Sequence, residues 1–182
     1  MATISGTAGG TIYGGDAGQV GAAAEKATAR ALAGLPAQIA VFHDLNIPGS
    51  PANIDHAVVV GSEVWLFDSK AWQPGWYVTV AGKTWRKWRP WVDAHGRRPG
   101  DKLTLPMARD RLGKQMPATV AITCRVVVHP STKKGGVVRV FLYRPRGARA
   151  WTPERLARWV AGCEPRPPDP AAVRVLQMCV RR

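Results

Sequence analysis

Two aspartates and a lysine stand where chemistry could be done. Ile54 to Val60 and Val64 to Lys70 are runs of β-branched and aromatic residues on either side of Gly61-Ser62. That pattern predicts two antiparallel strands joined by a tight turn. With a two-residue turn, Val60 faces Glu63 and Asp55 falls directly across from Asp68. Directly opposed side chains have Cβ atoms about 4.5–5.5 Å apart. Lys70, two residues beyond Asp68, shares its face. A different turn length would shift the register by one and separate the acids. Two carboxylates that close repel each other unless a cation lies between them. Hard divalent ions such as Mg²⁺ take such oxygen ligands. A neighbouring ammonium can orient or deprotonate a water, or stabilise charge developing on a phosphate. Together these groups suit phosphodiester hydrolysis. The same spacing is also met by two acids that merely end strands, with Lys70 paired to one of them at the surface.

Elements that would hold this hairpin follow from the pattern. An Ala-rich stretch from Asp16 to about Leu35 predicts a helix, with Val20, Ala24, Ala27, Ala31, Leu32 and Leu35 near one stripe. Ile39 to Leu45 reads as a short strand. Trp76 to Val80 and Thr84 to Trp88 extend the strand series around Ala81-Gly82-Lys83, and residues 89–104 read as a long loop. Leu105 to Met116 predicts a helix, Ala118 to His129 and Val137 to Tyr143 two strands, and Thr152-Pro153 the start of another helix. A last helix spans Ala171 to Val180. The Gly-rich residues 1–15 read as a flexible lead before one domain over 16–182. Helices alternating with groups of strands in this way make a mixed α/β domain.

Charge divides along the chain. Of 26 Lys and Arg and 12 Asp and Glu in 182 residues, residues 1–80 carry a net −3 and residues 81–182 a net +17. An acidic half that can hold a cation and a basic half that can hold a polyanion point to nucleic acid as the partner. Five of the eight tryptophans lie between Trp72 and Trp91, interleaved with bases in Trp85-Arg86-Lys87-Trp88-Arg89-Pro90-Trp91. Indoles beside arginines suit stacked bases and phosphates. Arg86, Lys87, Trp88, Arg89, Trp91, Arg97 and Arg98 are the nucleic-acid-binding candidates, with Trp85 expected in the core. A spacing of three alternates faces on a strand, so these indoles cannot all face one core. No run of about 18 apolar residues exists to span a membrane. Three dispersed cysteines make neither a disulfide framework nor a CxxC site, and a reducing cytoplasm is the expected location.

Gly21 to Glu25, His43-Asp44-Leu45, the run Asn53-Ile54-Asp55-His56 and, a dozen residues later, Asp68-Ser69-Lys70 resemble the NERD (nuclease-related) domain. That family lies in the PD-(D/E)XK nuclease superfamily, and the clear likeness covers about residues 18–75. The resemblance implies a restriction-endonuclease-like fold, a mixed β-sheet core flanked by helices. It implies Mg²⁺ (or Mn²⁺) as cofactor and DNA as substrate. It implies roles too. Asp55 corresponds to the first acidic metal ligand, Asp68 and Lys70 to the D-X-K pair, the Ser69 backbone carbonyl to a further ligand, and Glu25 to the helix acid. Ala24 stands where the family often has glycine. Gln115 corresponds weakly to an auxiliary polar residue, and His56 reads as structural. The alternative is a nucleic-acid-binding module that does not cut and works within a larger DNA-processing assembly. Even for a nuclease, a protein partner is the expected means of targeting.

Overall fold

The computed structural model describes residues 3–8, 16–92, 104–131, 136–144 and 148–181. At its centre is the expected hairpin of β3 (Asn53–Val60) and β4 (Glu63–Trp72), with Val60 facing Glu63. Gly61 makes the turn at φ +58, a conformation that costs glycine little. β2 (Ala40–Asn46) pairs antiparallel with β3, and β1 (Thr3–Ser5) pairs parallel with β2. On the other flank β8 (Ala121–Pro130) runs parallel to β4, from Glu63 opposite Ala121 to Trp72 opposite Pro130. β10 (Arg149–Trp151) runs parallel to β8. The sheet order is β1-β2-β3-β4-β8-β10.

β3 is buried along nearly its whole length, so its Val58-Val59-Val60 run needs cover on both faces. On one face α2 (Thr104–Gly113) and α4 (Pro170–Cys179) bring Leu105, Leu112, Val175 and Leu176 into one cluster with Ala57, Val59, Leu66 and Val128. On the other, α1 (Asp16–Leu32) and α3 (Pro153–Ala161) bring Leu32 and Leu156 together with Val58, Val60, Phe67 and Val127. The strand periodicity of two is what sends Leu66 to one cluster and Phe67 to the other.

Several sequence expectations change. Thr3–Ser5, read as part of a flexible lead, is a sheet strand whose backbone pairs with Ala40–Phe42. The strands after β4 do not extend the central sheet. β5 (Gly75–Val80), β6 (Lys83–Arg86), β7 (Arg89–Pro90) and β9 (Val138–Leu142) form a second sheet in the order β7-β6-β5-β9. Two tight reversals build it. Ala81-Gly82 have φ +47 and +74, and Lys87-Trp88 have φ +48 and +63. Paired left-handed residues give the turn twist that antiparallel strands need. The second reversal is hidden in sequence, because neither Lys nor Trp signals left-handed backbone. It makes Arg89–Pro90 an edge strand rather than loop, and it takes Trp88 off the strand. β10 was also missed, being three residues long.

α4 starts on Asp169, whose Oδ1 accepts from the backbone N–H of Ala171 and Ala172 at 2.8 and 2.9 Å. Asp169→Ala leaves both donors unpaired and should cost about 1 kcal/mol. In a chain of this size that is a fall of about 2–4 °C in thermal denaturation. An unchanged melting temperature would contradict the cap assignment.

Candidate active site

The β3–β4 ladder stops at His56 and Phe67, one step before Asp55 and Asp68. There the side chain replaces the backbone. Asp55 Oδ2 accepts from the Ser69 backbone N–H at 2.5 Å. On the other flank the β2–β3 ladder skips Asp44, the residue in register with Asp55. Asp44 takes φ +50, sparsely populated by residues other than glycine, asparagine and aspartate. In extended backbone its carboxylate would stand beside that of Asp55. Instead Oδ1 accepts from Asn53 Nδ2 at 2.9 Å and lies 3.7 Å from an Arg181 guanidinium nitrogen. Both neighbours of Asp55 therefore leave the ladder at the same point.

Asp68 and Lys70 lie on the face of β4 shared by Leu66 and Trp72. Lys70 Nζ sits 2.6 Å from Asp68 Oδ1 and donates to the Ser69 carbonyl at 3.3 Å. Ser69 itself points to the opposite face. Its hydroxyl donates to Thr28 Oγ1 at 2.9 Å, and Thr28 Oγ1 lies 2.8 Å from His129 Nε2. All three are buried. This chain ties α1 to the middle of the Asp-Ser-Lys segment. Glu25 sits three residues before Thr28, close enough to act on the charges of Asp55 and Lys70.

The electrostatics follow from that crowding. Burial, then Asp68, pushes the Asp55 carboxyl well above the usual carboxylate range; Glu25 adds to the push, and Lys70 and the Ser69 N–H oppose it. Burial pulls the Lys70 ammonium down, but Asp68, Asp55 and Glu25 outweigh it and raise the group above its ordinary value. Lys70 is therefore a retained cation. Below the acids, His56 is held neutral. Burial, then His43, lowers it to about 3, and its Nδ1 lies 2.8 Å from His43 Nδ1.

The donors present suit a hard divalent cation: three carboxylates and a backbone carbonyl, with charge in excess of the one ammonium among them. Among the described residues, no three His, Cys, Asp and Glu side chains stand together as a ready-made metal site. Asp55 is committed to Ser69 and Asp68 to Lys70, so a cation would have to displace at least the second contact.

The other candidates fall in different places. Gln115 is exposed in a turn beyond the end of α2, and Ala121, just downstream, registers with Glu63 at the far end of β4 from Asp68. The structure does not bring it to the carboxylates. Arg86 is spent on the β4–β5 connection, donating to Gln73 Oε1 at 2.7 Å and to the Pro74 carbonyl at 2.9 Å. Trp91, expected near a ligand, packs in the core against Trp72 and Tyr77, with ring centroids 4.4 and 5.0 Å away. Trp85 is half-buried. Lys87, Trp88 and Arg89 are exposed, and Trp88 stands edge-on to Trp76. Arg97 and Arg98 lie outside the described residues. Sequence reading gave no role to Thr28, His129 or Asp44. Thr28 carried a signal as one hydroxyl in an Ala-rich stretch three residues after Glu25, and Asp44 lay in the run His43-Asp44-Leu45 that carries the resemblance.

Among the described residues, a mixed six-stranded sheet flanked by four helices is the restriction-endonuclease-like arrangement of an α/β protein. Residues 20–105 match the family model of the nuclease-related domain, NERD, a family of the PD-(D/E)XK-like nucleases. No curated protein and no solved structure matches the chain. No helix among the described residues is long and apolar enough to cross a membrane.

Two measurements test these electrostatics. A carboxyl raised by burial and like charges favours folding only while protonated, and that contribution is lost as pH rises through its folded value. At pH 7.5 in EDTA, Asp55→Asn keeps the acceptor for Ser69 and removes the charge, so it should melt a few degrees higher than the parent. A lower melting temperature would sink the claim. In that background the unfolded chain binds protons at His43, His56 and His129 from about pH 6.5 downward, while the fold holds all three below their ordinary values and His56 near 3. Unfolding free energy should therefore fall as pH drops from about 6.5, with a slope approaching about 1.4 kcal/mol per pH unit for His56. A urea midpoint that stays level from pH 7 to 4.5 would contradict it.

Proposed function

We propose that this protein is a nuclease that uses a divalent cation, Mg²⁺ or Mn²⁺, to hydrolyse phosphodiester bonds, with DNA as the substrate. The observation that carries the reading is the coupling of Glu25, Asp55 and Asp68 around the Lys70 ammonium at the open end of the central hairpin. Asp55, Asp68, Glu25 and the Ser69 carbonyl are the groups that would hold the cation. The ion, when bound, supplies charge neutralisation at the phosphate and activation of water.

The chain's own residues do the rest. Lys70 stays protonated, so its part is electrostatic: it donates to the attacking water or to a phosphate oxygen where negative charge develops. A base role would need a lowered ammonium, and the carboxylates hold it raised. Asp55, fixed on the Ser69 N–H, keeps its second oxygen for the cation. The Ser69–Thr28 hydrogen bond ties the helix that carries Glu25 to the Asp-Ser-Lys segment. Removing Thr28 should loosen that helix and weaken cation binding without touching a ligand. The basic second half of the chain supports a polyanionic substrate.

A second reading, a binding module without cleavage, is favoured by one observation. Lys70 closes on Asp68 at 2.6 Å, and the acids do not converge. The two readings part on one experiment. Supercoiled, linear and single-stranded DNA are incubated with Mg²⁺, Mn²⁺ or EDTA, beside Lys70→Ala and Asp68→Asn. Cutting that EDTA abolishes and that either substitution lowers at least about 100-fold is the expected result. Cutting that survives both substitutions sinks the site. Binding without cutting in every metal establishes the module.

A further inference from the structure

A wide concavity among the described residues lies apart from the carboxylates. It is a groove of about 830 Å³ between the second sheet and the start of α3, walled by Trp76, Val137, Phe141, Arg139 and Arg158, with Val128 and Ala150 at its base. Its apolar wall is open to solvent. Phe141 is 78% exposed, Val137 67% and Trp76 38%. Monomeric proteins rarely leave such side chains grouped in the open without a use.

Register places this groove beside the candidate active site. Val128, at its base, pairs with Lys70 on the neighbouring strand. Ala150 pairs with Val126, which pairs with Asp68. Residues in register on parallel strands share a face, so groove and carboxylates lie on the same side of the sheet. They are one or two strand spacings apart, about 5–10 Å. Trp76 registers with Arg139 on the second sheet, and Trp76 stands edge-on to Trp88 at 4.5 Å between centroids. Trp88, Trp76, Arg139 and Phe141 thus make one strip in which indoles, a guanidinium and a phenyl ring follow one another.

We propose that this groove binds an unpaired segment of nucleic acid, its bases against Trp76 and Phe141 and its phosphates against Arg139 and Arg158, and delivers the adjoining phosphodiester to the carboxylates. The inference rests on the nuclease reading for its last step only. The charge matches: the two arginines are exposed, and Glu154 is the one acid on the wall. The shape matches too. An aromatic wall offers nothing to a duplex, whose bases present edges, while every unpaired base has a face to stack. The substrate class therefore narrows from DNA in general to single strands, or to duplexes with frayed or unpaired ends.

The test is binding of the whole chain to a fluorescein-labelled single-stranded oligonucleotide of about 16 nucleotides, the upper end of site sizes for such surfaces. The same strand annealed to its complement is the second arm. Both are measured in EDTA, so cutting plays no part. Single-strand affinity should exceed duplex affinity at least about tenfold. Phe141→Ala and Trp76→Ala should each weaken single-strand binding about 5- to 100-fold, the range of one lost base stack. Arg158→Ala should flatten the salt dependence of binding. Melting temperatures of the variants show whether they fold; if Trp76→Ala does not, Phe141→Ala, on a side chain that supports little else, decides. Equal affinity for both forms, or indifference to Phe141, overturns the inference. So does a chain that sediments as a dimer and becomes monomeric on Phe141→Ala, since the occupant is then a second copy. Binding as expected without cutting in any metal leaves this groove standing and removes only the nuclease. Cutting with binding indifferent to Phe141 does the reverse.

Discussion

The fold is arranged around an imbalance: one ammonium, that of Lys70, faces the carboxylates of Asp55, Asp68 and Glu25. Left in water such charges would separate. Here three constraints prevent it. The Ser69 N–H holds Asp55, the hairpin register holds Asp68, and the Ser69–Thr28–His129 chain holds α1 and so Glu25. Asp44, the acid that the register would have added to the group, is turned away by a left-handed backbone and kept there by Asn53 and Arg181. The fold thus selects which acids feel one another's charge. Concentrated like charge costs stability, and here it stands in a fold otherwise built from buried aliphatic residues.

The hairpin was legible because its information is local. Two β-rich runs and a Gly-Ser turn give the register from Val60 with Glu63 to His56 with Phe67, and a period of two puts Lys70 on the face of Asp68, while the ladder ends one step before Asp55 and Asp68. The two faces of the central sheet were legible in part, since Val58-Val59-Val60 demands cover on both sides. What was not legible depends on long-range contact. Thr3–Ser5 has no strand pattern of its own and becomes one by pairing with β2. Lys87-Trp88 reverses the chain although neither residue favours that backbone, because Trp88 gains Trp76 and Trp91 gains Trp72 and Tyr77 once it does. Tertiary packing there overrides local preference. The same reversal explains why Trp91 moved from a ligand candidate to the core while Trp88 stayed outside.

The basic half of the chain also resolves into distinct jobs. Arg86 ties down the link from β4 to β5. Arg125 lies over the rings of Trp65 and Trp151, about 5 Å from each centroid, where its planar cation covers apolar surface. Arg139 and Arg158 face the groove. A net charge of +17 over residues 81–182 therefore overstates the surface free to meet a polyanion, since part of it is spent inside the domain. Counting arginines finds the partner's class; only their placement finds its path.

One consequence concerns the order in which the molecule comes into being. The parallel strand β8 starts at Ala121, long after β4 ends at Trp72, so three strands of the second sheet and the helix α2 must emerge from the ribosome between them. Until then β4 has an unpaired outer edge, and the row of Val126 and Val128 beside Asp68 and Lys70 does not exist. Asp55, Asp68 and Lys70 come together early, in one local hairpin, whereas the groove beside them waits for β8, β9 and α3, which follow it in the chain.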